Sequence, residues 1–105
     1  AAEDRRLAPQ AVGMLLATEL VVPGRIDRQI DGWRRTGLAD PEMHYLLEHV
    51  TVDVEHARGW LDHVVTPLAG ARPDLLPEVA LGVLRRLAEA LAVCERAVRE
   101  LRPIA

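Results

Sequence analysis

The chain has 105 residues, a formal net charge of −3, a hydrophobic content of 50% and an aromatic content of only 3%. That size bounds it to one small domain with an aliphatic core, and the acidic balance removes the electrostatic case for nucleic acid or an anionic membrane surface as partner. The single cysteine excludes an internal disulfide and any site built from several thiolates, which fits a reducing cytoplasm.

The chain opens "AAEDRRLAPQ", without Met, as a trimmed piece of a longer protein would. The first element is a helix over "PQAVGMLLATELVV", Pro9 to Val22, which Pro23-Gly24 is expected to stop. A shorter helix follows in "RIDRQIDGWRRTG", with Ile26, Ile30 and Trp33 on one face and Gly37 placed to end it. The third helix has the strongest start signal, Asp40 as N-cap, Pro41 in the first position and Glu42 in the first turn. It is expected to run to about Val65, where Thr66-Pro67 and then Gly70 disturb it. The fourth begins near Asp74, accepts Pro77 in its first turn and reaches about Leu101. Its apolar stripe includes Val79, Val83, Leu84, Leu87, Leu91, Cys94, Val98 and Leu101, with Cys94 expected as a small core residue. No alternating strand pattern occurs, so the class is all-α, an antiparallel helical bundle. No apolar run is read as a membrane span and no signal-peptide pattern is present, so no membrane partner is expected.

The third helix carries "HVTVDVEHARGWLDH", His49 to His63. At about 100° per residue, His49, Asp53 and His56 share one line, with Trp60 and His63 close to it. Leu47, Val50, Val54, Ala57, Leu61 and Val64 form the expected apolar stripe to one side, while Glu48, Thr51, Glu55, Arg58 and Asp62 face water. A carboxylate and two imidazoles on the border of a buried arc are costly unless something neutralises or coordinates them. Ligands three and four residues apart on one helix face project toward a common point, and an N/O set of this kind suits iron, manganese or zinc. The bland reading of the same residues is a surface ion pair or a satisfied polar cluster. Glu19 sits in a segment apolar nearly all round and is expected to be buried, either as a further metal ligand or as a helix-end carboxylate reaching Arg25 or solvent. Tyr45 and Trp60 flank the line, with core packing the first expectation and a pocket wall the second. Gly59 costs roughly 1 kcal/mol relative to Ala inside a helix, which suggests another helix close by. His44 lies off the line and is expected at the surface.

With Glu19, His49, Asp53 and His56 in view, the chain resembles the C-terminal part of the haem-oxygenase-like di-iron oxidase superfamily, whose members are labelled iron-containing redox enzymes. The family's last ligand-bearing core helix has the form His-x-x-x-Asp-x-x-His, which "HVTVDVEH" matches at each ligand position, and an upstream carboxylate corresponds to Glu19, 30 residues before His49. The resemblance covers approximately Leu15 to Leu101. It implies the C-terminal half of a haem-oxygenase-like fold, with residues 1–105 a single helical unit and the N-terminal helices absent. It implies His49 and His56 as imidazole ligands, Asp53 as a terminal carboxylate and Glu19 as a carboxylate able to bridge two ferrous ions. Tyr45, Trp60 and His63 are then neighbours of the site, His63 lying beyond the family motif. The implied activity is that of an oxidase or oxygenase using dioxygen on a small organic molecule such as an amine, amino acid or fatty acid. The family also requires a further Glu and His from earlier helices, which nothing in residues 1–18 matches, so a missing N-terminal half or a second copy of the chain is expected to complete the site, and a homo-oligomer to cover the apolar face. The alternatives are a non-enzymatic helical interaction module and a haem-oxygenase-like enzyme lacking a di-iron centre.

Overall fold

The computed structural model describes residues 2–102, with side chains from residue 7 onward. The fold begins with one long helix, α1, Ala2–Arg35, that carries both Pro9 and Pro23 in its interior. The expected break at Pro23-Gly24 does not occur. Proline removes the N–H that would bond the Glu19 carbonyl, a local cost. Burial on both sides of it offsets that cost: Leu16 and Ala17 are buried before the proline, Ile26 and Ile30 after it. Ile26 and Ile30 form a core with Met43, against which Val22, Leu38, Leu46, Leu47 and Val50 pack. The two expected helices are therefore one.

Gly37 ends α1, as the sequence suggests. Its φ of 93° lies in the left-handed region, its N–H donates to the Arg34 carbonyl at 3.0 Å, and the Leu38 N–H reaches back to Trp33 at 3.2 Å. Those two bonds are a Schellman ending, which satisfies carbonyls the helix leaves open. A short 3₁₀ turn, Asp40–Met43, leads into α2, His44–Trp60. The N-cap of that turn is Ala39, not Asp40. Glu42 turns back to accept the Ala39 N–H at 2.9 Å, while the Asp40 carboxylate accepts two bonds from Arg34. The Arg34 guanidinium holds the Asp40 carboxyl below the usual carboxylate range. This clamp fixes the angle at which the chain leaves α1.

The disturbance expected at Thr66-Pro67 is a widened turn rather than a stop. Leu61–Val65 is π-helical, and the Thr66 N–H donates to the Leu61 carbonyl five residues back. Pro67 has no N–H to contribute, and a wide turn just before it lets the helix resume as α3, Thr66–Ala71. After a 3₁₀ turn at Pro73–Leu75 the chain enters α4, Leu76–Leu101.

Both α2 and α4 pack on α1 and make little contact with each other. The molecule measures 50 × 32 × 18 Å, about two helix diameters thick. Where α1 meets α4 the backbones nearly touch: a Cβ on Gly13 would overlap the Val79 carbonyl, and one on Gly82 the Gln10 carbonyl. Gly59 has no such neighbour, the nearest heavy atom to a Cβ there being His63 Cδ2 at 4.0 Å. The close helix approach is at Gly13 and Gly82, not at Gly59 as the sequence suggested.

The apolar stripe of α4 is used only at its start. Val79 and Gly82 are buried, whereas Leu84, Leu87, Leu91, Val98 and Leu101 are exposed, and Cys94 is exposed rather than in a core. The membrane reading also needs correction, because an unbroken Leu7–Arg35 is long and apolar enough to cross a membrane by length and composition. In this fold that helix is the one on which the other two long helices pack.

Candidate metal centre

Helix α2 lies on α1 through a line that differs from the expected one. Asp53 and Ala57 are the buried residues of α2, while Val54 and Leu61, expected in the apolar stripe, are exposed. The inward line is rotated toward the titratable residues because α1 lies against that side. Asp53 thus sits at the centre of the contact and not at its border.

Three of the four predicted ligands converge. Glu19 from α1 and Asp53 and His56 from α2 each offer one ligand atom, and these atoms lie within 4.8 Å of one another. His56 Nδ1 is 3.9 Å from Glu19 Oε2 and 3.8 Å from Asp53 Oδ1. Both distances exceed hydrogen-bond length. They fall within the separation two donors can span on one ion, since bonds of about 2.1 Å allow donors up to about 4.2 Å apart. One imidazole nitrogen and two carboxylate oxygens form a donor set that fits iron.

The three side chains differ in exposure: 9% for Asp53, 30% for Glu19 and 59% for His56. Glu19 is therefore half-buried, not buried, because α1 leaves Leu15 and Leu20 exposed on the same stretch. Among the described residues no side-chain nitrogen or oxygen is fully buried without a hydrogen-bond partner. Asp53, despite its position, thus keeps an opening to the cluster. It is the buried carboxylate of the three, Glu19 a half-buried one and His56 an exposed imidazole at the rim.

His49 is not in this cluster. It is half-buried one turn earlier, its ring stacked on Tyr45 with centroids 4.4 Å apart and its Nε2 3.4 Å from the Tyr45 hydroxyl oxygen. Tyr45 itself is exposed, against the expectation of core packing. Trp60 is half-buried, and its Nε1–H donates to the Val12 carbonyl of α1 at 3.0 Å, which locks the indole in place. His63 is exposed in the π turn. His44 is at the surface as expected, 3.4 Å from Glu48.

A cleft of about 330 Å³ opens beside the cluster, lined by Leu15, Glu19, Glu55, His56, Gly59 and Trp60. Sequence reasoning missed Glu55, which it assigned to water, and Gly59, which it assigned to helix packing. It also missed Gln10, a buried residue of α1 whose amide donates to Glu78 and accepts from Arg85 of α4. The available signal was a polar residue at a position flanked by the apolar run of α1, one turn before Gly13.

A family model described as iron-containing redox enzyme, of the haem-oxygenase-like class, matches residues 1–90. No curated protein and no solved structure gives a match.

Proposed function

Because the chain belongs to the iron-containing redox enzyme family, we propose that Glu19, Asp53 and His56, joined by His49, are this chain's ligands to a non-haem di-iron centre that oxidises a small organic substrate with dioxygen. The observation that carries this reading is the convergence of Glu19 on Asp53 and His56, from helices far apart in sequence. Two iron ions, when bound, supply the electrons and open coordination positions for dioxygen chemistry.

The residues of the chain then divide the work. Asp53 fixes one donor position, because its helix is packed on α1 on either side of it. Glu19 has the reach to bridge, since its backbone is set on α1 and its longer side chain ends 3.9 Å from the His56 imidazole. His56, at the rim, closes the set. His49 rests on Tyr45, and its Nε2 joins a metal only by rotating off the phenol. Trp60, held by Val12, limits water on one side. The remaining ligands of a two-ion centre come from a second copy of the chain or from helices of a longer polypeptide.

The test is metal-linked stability of the chain. Anaerobic ferrous iron, with Mn(II) as an air-stable substitute, should raise the Tm of the wild-type chain, by a free energy of about 2.7 kcal/mol at a hundredfold excess over Kd. Asp53→Ala and His56→Ala should abolish the rise, and elemental analysis should show the metal lost. A wild-type chain with no saturable metal binding would overturn the reading. For the dioxygen part, an optical spectrum of the ferrous-loaded complete assembly that air leaves unchanged would do the same.

A further inference from the structure

Helix α4 leaves one face unused, and that face has an internal symmetry. Its contact with α1 runs through Val79, Gly82 and Arg86, the last donating to the Thr18 hydroxyl at 3.0 Å. About 90° round the helix from that line lie Leu84, Leu87, Leu91, Cys94, Val98 and Leu101. None of the six is charged. The leucines and the valine are 40–63% exposed, and Cys94 is exposed with them. From position 91 to 101 every residue of α4 is exposed, and a helical stretch of that length is marginal in water without tertiary cover. The seam advances by three, four, three, four and three residues, which reads the same from either end. Leu84 with Leu101, Leu87 with Val98, and Leu91 with Cys94 are therefore all centred on one point, between Ala92 and Val93.

We infer that this seam pairs with the same seam of a second copy, the two α4 helices running antiparallel about a two-fold axis between Ala92 and Val93. A two-fold contact requires a surface complementary to itself, and the reversed spacing meets that requirement at all six positions. Leu84 of one copy then faces Leu101 of the other, Leu87 faces Val98 and Leu91 faces Cys94. Each of the two smaller side chains meets a leucine, so the layers are even. Parallel helices would instead stack Cys94 on Cys94 and Val98 on Val98, leaving thin layers that close packing does not fill. The antiparallel arrangement also sets opposite ends of the two helix dipoles side by side. Ala88, Ala90 and Ala97 flank the seam, small enough to let the helix axes approach closely. The exposed seam amounts to on the order of 500–600 Å² per copy, so a pair buries about 1,000–1,200 Å², the lower bound of a specific interface. A lipid surface fits less well, because a helix that lies in a membrane interface presents a broader apolar face with aromatic residues, and α4 has no aromatic residue.

The experiment is run on the metal-free chain in chelator, so that its outcome does not depend on the metal centre. Sedimentation velocity should show a dimer of the wild-type chain, and Leu91→Glu should weaken association about thirtyfold or more. Circular dichroism should show Leu91→Glu fully helical, since position 91 is exposed in the single copy. Orientation is read from a variant carrying Leu87→Cys, Val98→Cys and Cys94→Ala. Air oxidation should join position 87 of one copy to position 98 of the other, a link that one helix cannot make within itself, because the two positions lie about 16 Å apart. In the wild-type chain, alkylation of Cys94 should slow about tenfold across the concentration range in which the dimer forms. Links from 87 to 87 or from 98 to 98 overturn the antiparallel register. A chain that stays monomeric, a Leu91→Glu variant that associates like the wild type, or Cys94 reactivity that ignores concentration overturns the pairing. So does a monomer that binds phosphatidylglycerol vesicles through α4.

Discussion

Gln10 and Asp53 are both buried polar side chains, and the fold treats them in opposite ways. Gln10 is fully used: its Nε2 donates to Glu78 at 2.6 Å and its Oε1 accepts from Arg85 at 2.5 Å, tying α1 to α4. A buried amide with both ends satisfied specifies which helix face docks on which. Gln10→Ala should therefore destabilise the chain by about 1–3 kcal/mol, because it strips partners from Glu78 and Arg85 together. Urea denaturation of the two chains measures this, and equal midpoints would refute it. Asp53 has its nearest recorded partner, the His56 imidazole, at 3.8 Å. Among the described residues its carboxylate has no hydrogen-bond partner and stays open to the cluster, which leaves its oxygens available to a ligand. Tyr45 and His49 add a different arrangement, an aromatic pair that keeps an imidazole one turn from the cluster.

Among the helices, the crossing of α1 on α4 is set by absent side chains. Gly13 faces Val79 and Val83 backbone, and Gly82 faces Gln10 backbone, so neither position has room for a methyl group. Gly13→Ala and Gly82→Ala should each cost about 1–3 kcal/mol by forcing the helices apart. Gly59→Ala should instead stabilise α2 by roughly 0.5–1 kcal/mol, since only helix propensity changes there. Thermal unfolding distinguishes the two cases, and a loss of stability in all three variants would refute the assignment. The wide turn at Leu61–Val65 belongs to the same scale. It gives Pro67 a place in a continuing helix and leaves His63 turned to solvent, away from the cluster.

Across the whole molecule, α1 acts as a spine with α2 and α4 on it, and the second half of α4 leaves an apolar seam open. Leu84, Leu91 and Leu101 are 63%, 59% and 61% exposed. Together with Leu87, Cys94 and Val98 they recur at alternating spacings of three and four, the narrow stripe that seats against another helix. A seam of this length is normally covered. Self-association of the chain is the expected outcome, read by sedimentation velocity, with Leu84→Glu and Leu91→Glu together restoring the monomer. A wild-type chain that stays monomeric at every accessible concentration would refute it.

The sequence by itself determined the helical class, the Gly37 ending, the span of α4 and the solvent face of α2, because each is a local matter of periodicity, capping and turn chemistry. It also marked Glu19, Asp53 and His56, since carboxylates and imidazoles at those spacings stand out in an aliphatic chain. Only the tertiary structure decided three other things. It carried α1 through Pro23, because burial of Ile26 and Ile30 outweighs one lost hydrogen bond. It turned α2 so that Asp53, not Val54, meets α1, because the docking partner and not the apolar count fixes which face is buried. And it joined Glu19 to His56 while leaving His49 on Tyr45. Spacing along one helix places side chains on a line, but which of them meet a residue from another helix depends on where that helix crosses.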